Sequence, residues 1–426
     1  MFQNCGVKMS IFYLNKKNKM DSNKKRNPFV FIILLVLFSE LFVYPFLAFL
    51  QYVLGYDINA SYFLRFNYLI ISFLGLLIIF IKLKTPNIFL IKVFFIFLIL
   101  GLSKGVYNGN FFNYSDSGSN IFLSHFFYLL NPILSMTLGY YMYSLIFKKS
   151  YYYNLFSKLF KWSFIYGFIL AVAFQIVYIG GGSYYDSLDL WNVFYGGGFM
   201  LSVSNSFIMP FYVILLSILL AKRVTILVAF TMVIIYFLRT TFKKILYYLI
   251  PIALVIVLFQ NFNFDNLSGI KRLTTTVELA QANDIEVASA GRLIEALSAL
   301  EIITSNASDF LIGTGFGSYF YPWPEIDPNY KSHYTHFTPV SYMWIGGIIL
   351  TLLVYWSLIR LTISLFKIKK LKNLTQTSLF QFMLPAIIIS SITGAVLMNN
   401  SILWMIIGMT YKLIEEEKLS RKLAIQ

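Results

Sequence analysis

A chain of 426 residues, 58% hydrophobic and only 12% charged, with a mean hydropathy of +0.71, is not a set of soluble domains, which carry about twice that charge. Its formal charge of +16 does not point to nucleic acid, because the basic residues gather in short connectors between apolar runs. One cysteine, Cys5, excludes an internal disulfide framework and any cysteine-based metal or cluster site, and three histidines leave little room for a histidine-rich one.

In chain order, seven basic residues between Lys8 and Arg26 predict a cytoplasmic N-terminal segment, 1–27. The apolar run that follows is too long for a signal-peptide core and lacks a small-residue cleavage site, so it is expected to be retained. Apolar segments then fall at 28–50, 61–81, 86–102, 121–147, 160–179, 199–221, 224–238 and 245–259, and again at 338–361, 379–397 and 402–413. Most approach the ~20 residues that cross the hydrocarbon; 224–238, 245–259 and 402–413 are shorter. The connectors 101–120 and 180–198 carry Asp116, Asp186 and Asp189 and read as outer turns. Lys148, Lys149, Lys158 and Lys161, then Lys367, Lys369, Lys370 and Lys372, mark the cytoplasmic side.

Eight crossings before residue 261 would leave the following polar stretch inside, whereas the later basic run requires it outside. Either one early segment does not cross or an extra crossing is hidden. Segment 224–238, preceded by Lys222 and Arg223 and followed by Arg239, Lys243 and Lys244, is the first candidate for a re-entrant or broken element. The expected fold is an all-α polytopic integral membrane protein of about 10–12 transmembrane helices with one large external loop. Its parts are a membrane bundle at 28–260, the loop at 261–336, C-terminal helices at 337–413 and a cytoplasmic tail at 414–426.

The loop holds four basic residues (Lys271, Arg272, Arg292, Lys331) and nine of the chain's 18 acidic ones, a net charge of −5. Within it, 291–304 reads as an amphipathic helix. Leu293, Ala296, Leu297, Leu300 and Ile303 form the apolar stripe, and Arg292, Glu295 and Glu301 are polar, a pattern suited to lying along the membrane surface. Gly313-Thr314-Gly315-Phe316-Gly317 is a glycine-rich turn, suited either to close approach of a ligand or to packing over helices. No strand precedes it and no Gly-Lys-Ser/Thr follows, which argues against a nucleotide loop.

Six aromatics, Tyr319, Phe320, Tyr321, Trp323, Tyr330 and Tyr334, follow within 16 residues and suit sugar stacking or an interfacial belt. His333 and His336 stand close to Lys331, with no evident third and fourth metal ligands. His336 directly precedes a span, where it is either a surface residue or a base. Glu40, His125 and Asn131 lie inside spans and are candidates for function or for structural pairing.

The order of these pieces resembles the O-antigen polymerase and O-antigen ligase superfamily. The matching elements are Gly291-Arg292-Leu293-Ile294-Glu295, then Leu311-Ile312-Gly313-Thr314-Gly315-Phe316-Gly317, then His336 ahead of Gly346-Gly347. The resemblance covers 290–353 closely and the rest only as architecture. It implies a metal-independent, cofactor-free glycosyltransferase of the bacterial cytoplasmic membrane, multi-pass with both termini inside. Donor and acceptor would be undecaprenyl-diphosphate-linked glycans. The surrounding lipids and a chain-length regulator would be partners, and nucleic acid would not.

On that resemblance His336 and Arg292 are the catalytic candidates. Arg239, Lys331, His333, Gly313, Gly315, Gly317, Trp323 and Tyr319 are the substrate-binding ones, with Arg239 matching an arginine at the outer end of an earlier span. Arginine suits a diphosphate because it stays charged and presents a planar fork of donors. Histidine suits removal of the acceptor's hydroxyl proton, with Glu295, Glu325 and Asp327 behind it. The leading expectation is a repeat-unit polymerase acting by single inverting displacement. A ligase to lipid A core and a lipid-linked oligosaccharide flippase or transporter are the rivals.

Overall fold

A computed structural model of the chain describes residues 27–83, 85–115, 118–179, 193–204, 208–219, 223–239, 292–323, 329–368, 374–394 and 396–425. Among them the regular elements are all helical, with only two isolated β-bridges. Six stretches are long and apolar enough to cross a membrane: Pro28–Gln51, Tyr62–Lys82, Phe89–Tyr107, Ile121–Phe147, Ser150–Val177 and Thr338–Phe366.

Helix α1 (Pro28–Phe38) starts where sequence rules place a start. Asn27 accepts from the Phe29 N–H at 3.0 Å, and Pro28 occupies the first turn, where its missing donor costs nothing. The chain then makes a π-turn at Ser39–Val43 and continues as α2 (Tyr44–Tyr52). Next come α3 (Ala60–Lys82), α4 (Phe89–Tyr107), α5 (Ile121–Phe147, capped by Asn120) and α6 (Ser150–Ile179). A second π-turn, Val193–Gly197, leads into the short α7 (Gly198–Val203), followed by α8 (Met209–Leu219) and α9 (Arg223–Arg239). Beyond these lie α10 (Arg292–Ser305), α11 (Ala307–Ile312), α12 (Thr338–Phe366), α13 (Leu374–Thr393), α14 (Val396–Asn399) and α15 (Ser401–Ile425).

Helix α5 is the centre of the bundle and packs against α3, α4 and α15. In lipid no hydrophobic force drives helices together, so close backbone approach at small residues and polar bonds between helices carry more of the association. Both devices are present. A Cβ on Gly139 of α5 would collide with the Met405 carbonyl of α15, one on Gly408 with the Met136 carbonyl of α5, and one on Gly75 with the Leu134 carbonyl. At mid-depth Asn131 Oδ1 accepts from the hydroxyls of Ser72 (2.8 Å), Ser135 (2.9 Å) and Ser401 (2.7 Å), tying α3, α5 and α15 together.

The two ends of the bundle differ in charge. One cavity of about 870 Å³ brings Asn27, Lys82, Tyr140, Lys412, Glu415 and Lys418 to the same end, where Lys148 also pairs with Glu416 at 2.9 Å. Arg360 lies beside Lys418 there as well. The opposite end holds the connector between α4 and α5, together with α10, α11 and the start of α12.

Several expected segments take a different form. Segment 199–221 is not one rod: it is broken into α7 and α8. Segment 224–238, expected to be re-entrant or broken, is the continuous α9, whose last turns lie beside Phe382 and Phe366. Apolarity alone does not mark such breaks, because broken and straight helices in lipid share a composition. Segment 402–413 is part of the longer α15, which runs through most of the expected tail. Segment 245–259, like residues 261–291 and 324–328 of the expected loop, lies outside the described residues.

The amphipathic helix forms at Arg292–Ser305 with its buried face rotated from the expected stripe. Glu295, Ala296, Ala299 and Ile303 are buried, while Leu297 is 54% exposed. A buried carboxylate on this helix requires a partner, and that partner defines the site.

Candidate functional site

Glu295 sits in the first turn of α10 and is 3% exposed. Its Oε2 accepts two hydrogen bonds from one residue, from the His336 backbone N–H at 2.9 Å and from His336 Nδ1 at 2.7 Å. The Ser332 hydroxyl, which donates to the Tyr334 carbonyl at 2.7 Å, lies 3.5 Å from Oε1. With its proton held on Nδ1 by a carboxylate, a neutral imidazole leaves Nε2 as the acceptor. The His336 side chain is 45% exposed, and among the described residues its Nε2 has no hydrogen-bond partner. The pair therefore presents an oriented imidazole edge that opens outward, just ahead of α12.

The chain reaches this geometry through a short hairpin. Phe320 and Ser332 exchange backbone hydrogen bonds at 2.8 and 2.9 Å, which anchors Phe320 under Trp344 and sets the aromatics outside it. Tyr319 packs against Tyr321, Trp323 against Tyr330, and the Lys331 ammonium lies 4.8 Å from the Tyr319 ring centre. Arg292 stands one turn before Glu295, on the same side of α10, and is partly buried.

The glycines of the turn are packed against protein. Phe316 N–H donates to the Gly101 carbonyl at 3.0 Å, Thr314 N–H to the Trp344 carbonyl at 2.9 Å, and Gly317 N–H to His125 Nδ1 at 3.2 Å. Gly313, Gly315 and Gly317 all have positive φ, and side chains there would meet α12, Lys104 and Asn110 respectively. Lys104 locks the turn from α4, donating to Asp309 at 2.5 Å and to the Gly313 carbonyl at 2.6 Å. The turn is thus a wedge between α4, α5 and α12, and the N–H groups of Gly313, Thr314, Phe316 and Gly317 are engaged within the fold.

His333 faces inward. Its carbonyl accepts from His125 Nε2 at 2.8 Å, and its Nε2 lies 3.3 Å from the Tyr128 hydroxyl. Burial pushes the His333 imidazole down to about 4, so it is neutral near pH 7. All three histidines of the chain thereby come to one end of the bundle, with only His336 opening outward. Among the described residues no three His, Cys, Asp or Glu side chains form a metal-binding group.

Arg239 is the last residue of α9, and the preceding turn of that helix, through Ile234, Ile235 and Tyr236, lies against Thr362 and Phe366 of α12 and Phe382 and Pro385 of α13. Glu325 and Asp327 lie outside the described residues. One cation escaped sequence reasoning. Arg65, in the first turns of α3, lies close enough to Tyr334 to oppose the effect of burial and of Glu295, which together hold that hydroxyl above its ordinary value. It reads in sequence as an isolated charge near a span end, and only the packing of α3 brings it beside the hairpin.

An all-helical bundle with six membrane-length apolar helices defines the class: this is a polytopic membrane protein. No family model, no curated protein and no solved structure matches the chain.

Proposed function

We propose that the protein is a polysaccharide repeat-unit polymerase of a bacterial cytoplasmic membrane, an inverting glycosyltransferase using a lipid-diphosphate donor. The observation that carries this reading is the Glu295–His336 pair, an oriented imidazole at the end of the bundle opposite the lysine-rich one. The charge asymmetry supports an outer placement for it, with both termini inside and about ten to twelve crossings in the whole chain.

In the proposed step His336 Nε2 takes the proton of an acceptor sugar hydroxyl as its oxygen bonds to the anomeric carbon. The bond from that carbon to the donor diphosphate breaks, and undecaprenyl diphosphate leaves with the electron pair. Arg292, Lys331 and Arg65 supply positive charge to the departing diphosphate, which counts for more near lipid than in bulk water. Tyr319 and Trp323 offer faces to the glycan.

The test is the size distribution of surface and lipid-linked glycan in a deletion strain complemented with wild type or Arg292→Ala. Single repeats that become long chains only with wild type support a polymerase. Long chains stranded on the prenyl carrier indicate a ligase to lipid A core. Transport of a lipid-linked oligosaccharide is a second reading, favoured by one observation: an ionisable residue, Glu40, buried at mid-depth. Loss of lipid-linked repeats from the outer leaflet in the deletion strain would select it.

A further inference from the structure

Far from the hairpin, midway along the first span, Glu40 lies on the π-turn Ser39–Val43 and is completely buried. Neither of its carboxyl oxygens has a hydrogen-bond partner, and among the described residues no basic side chain pairs with it. The turn packs against α3 and α6, and its neighbour Ser39 bonds to Asn67 at 3.0 Å. The titratable groups facing the carboxyl are tyrosines: Tyr68 of α3 and Tyr195 of the second π-turn interact with it, and Tyr44 stands beside Tyr68.

Tyr195 also adjoins Asn400, in the break between α14 and α15. The Asn400 Oδ1 caps α15 by accepting from Ile402 and Leu403, at 3.0 and 3.1 Å. Its Nδ2 is fully buried and turned toward the Tyr195 hydroxyl, without a close hydrogen bond. Two irregular elements, a π-turn and a helix break, thus meet at mid-depth around unsatisfied polar atoms. Local departures from α geometry of this kind concentrate at functional sites in membrane helices.

A lone carboxylate in hydrocarbon is strongly disfavoured, and among the described residues no cation neutralises it. The neutralising charge must come from a bound proton or another small cation. We propose that Glu40, with Tyr68, Tyr195 and Asn400 around it, is a monovalent-cation site at the centre of the bundle, carrying H+ and exchanging it for Na+. In the exchange the Glu40 O–H bond breaks, the proton leaves to water, and Na+ takes its place beside the carboxylate. The site is independent of the Glu295–His336 pair and of the reaction assigned to it.

Full-length protein in liposomes, treated with a hydrophobic carbodiimide, tests this directly, because the reagent adds only to a protonated carboxyl in apolar surroundings. The expected result is a mass addition on the peptide containing Glu40, at least about tenfold slower at pH 9 than at pH 6. Na+ slows the addition, with choline as the control. Glu40→Gln is not modified there, whereas Glu40→Asp is. Labelling that depends on pH and not on Na+ overturns the exchange and leaves a carboxyl that is only protonated. Absence of labelling at every pH in liposomes that hold folded protein overturns the proposal, as does labelling indifferent to both pH and Na+.

Discussion

Glu295 and His336 stand 41 residues apart in the chain and meet through one carboxylate oxygen, which accepts both the ring Nδ1 and the backbone N–H of the same histidine. The paired hydrogen bonds fix the position of the residue as well as its tautomer, so the exposed Nε2 is aimed by the fold. Glu295→Gln keeps the shape and loses the charge. It is expected to lower glycan polymerisation by about 10- to 100-fold with normal membrane abundance, and His336→Gln by about 100-fold or more. Polymerisation at wild-type level in His336→Gln removes the base from the mechanism.

Positive charge around the pair gives a second expectation. Arg65→Ala and Arg292→Ala each remove a guanidinium from the hairpin end of the bundle, and their losses are expected to exceed those of Arg65→Lys and Arg292→Lys. A lysine variant as weak as alanine points to fork geometry, and full activity in Arg65→Ala dismisses that residue.

The glycine wedge makes a prediction about stability. Gly317 and Gly118 share a positive φ, but a side chain at Gly317 meets the backbone of Asn110, whereas Gly118 faces open space. Gly118→Ala should cost about 1–2 kcal/mol from backbone strain alone. Gly317→Ala should cost at least about 3 kcal/mol, because a backbone obstacle cannot turn aside. Thermal unfolding in detergent, followed by size-exclusion fluorescence, compares the two.

His333 makes the fold sensitive to acid. Its folded value of about 4 lies below the ordinary value near 6.5, so the unfolded chain takes up a proton first as pH falls. The stabilisation from keeping this ring neutral is complete above about pH 6.5 and is lost progressively down to about pH 4. His333→Gln should be less stable at neutral pH and show a shallower fall in melting temperature across that window. An identical slope in the two proteins would show that the acid sensitivity comes from elsewhere.

Sidedness is open to chemistry. In a Cys5→Ser background, Lys331→Cys at the hairpin should react with an impermeant maleimide added to intact cells, and Lys418→Cys only after permeabilisation. The reverse pattern would place the Glu295–His336 pair in the cytoplasm and end the polymerase reading.

Composition and apolar run length alone determine that this chain is a helical membrane protein, because burial in lipid demands long uncharged segments whose backbones bond internally. The sequence also marks the helix beginning at Arg292, and it singles out His336 by its place beside a span. It does not reveal that Glu295 points inward. Helical periodicity assigns a carboxylate to the wet face, and only its bond to His336 reverses that assignment. Nor does it reveal the breaks in 199–221 and 379–397, since interrupted helices in a bundle remain apolar throughout. The convergence of Arg65, Tyr334 and the dyad at one end, and of Glu40, Tyr195 and Asn400 at mid-depth, belongs to tertiary structure alone. Each set joins residues from separate helices, and contacts between helices are set by packing across the bundle, which no local pattern in the chain encodes.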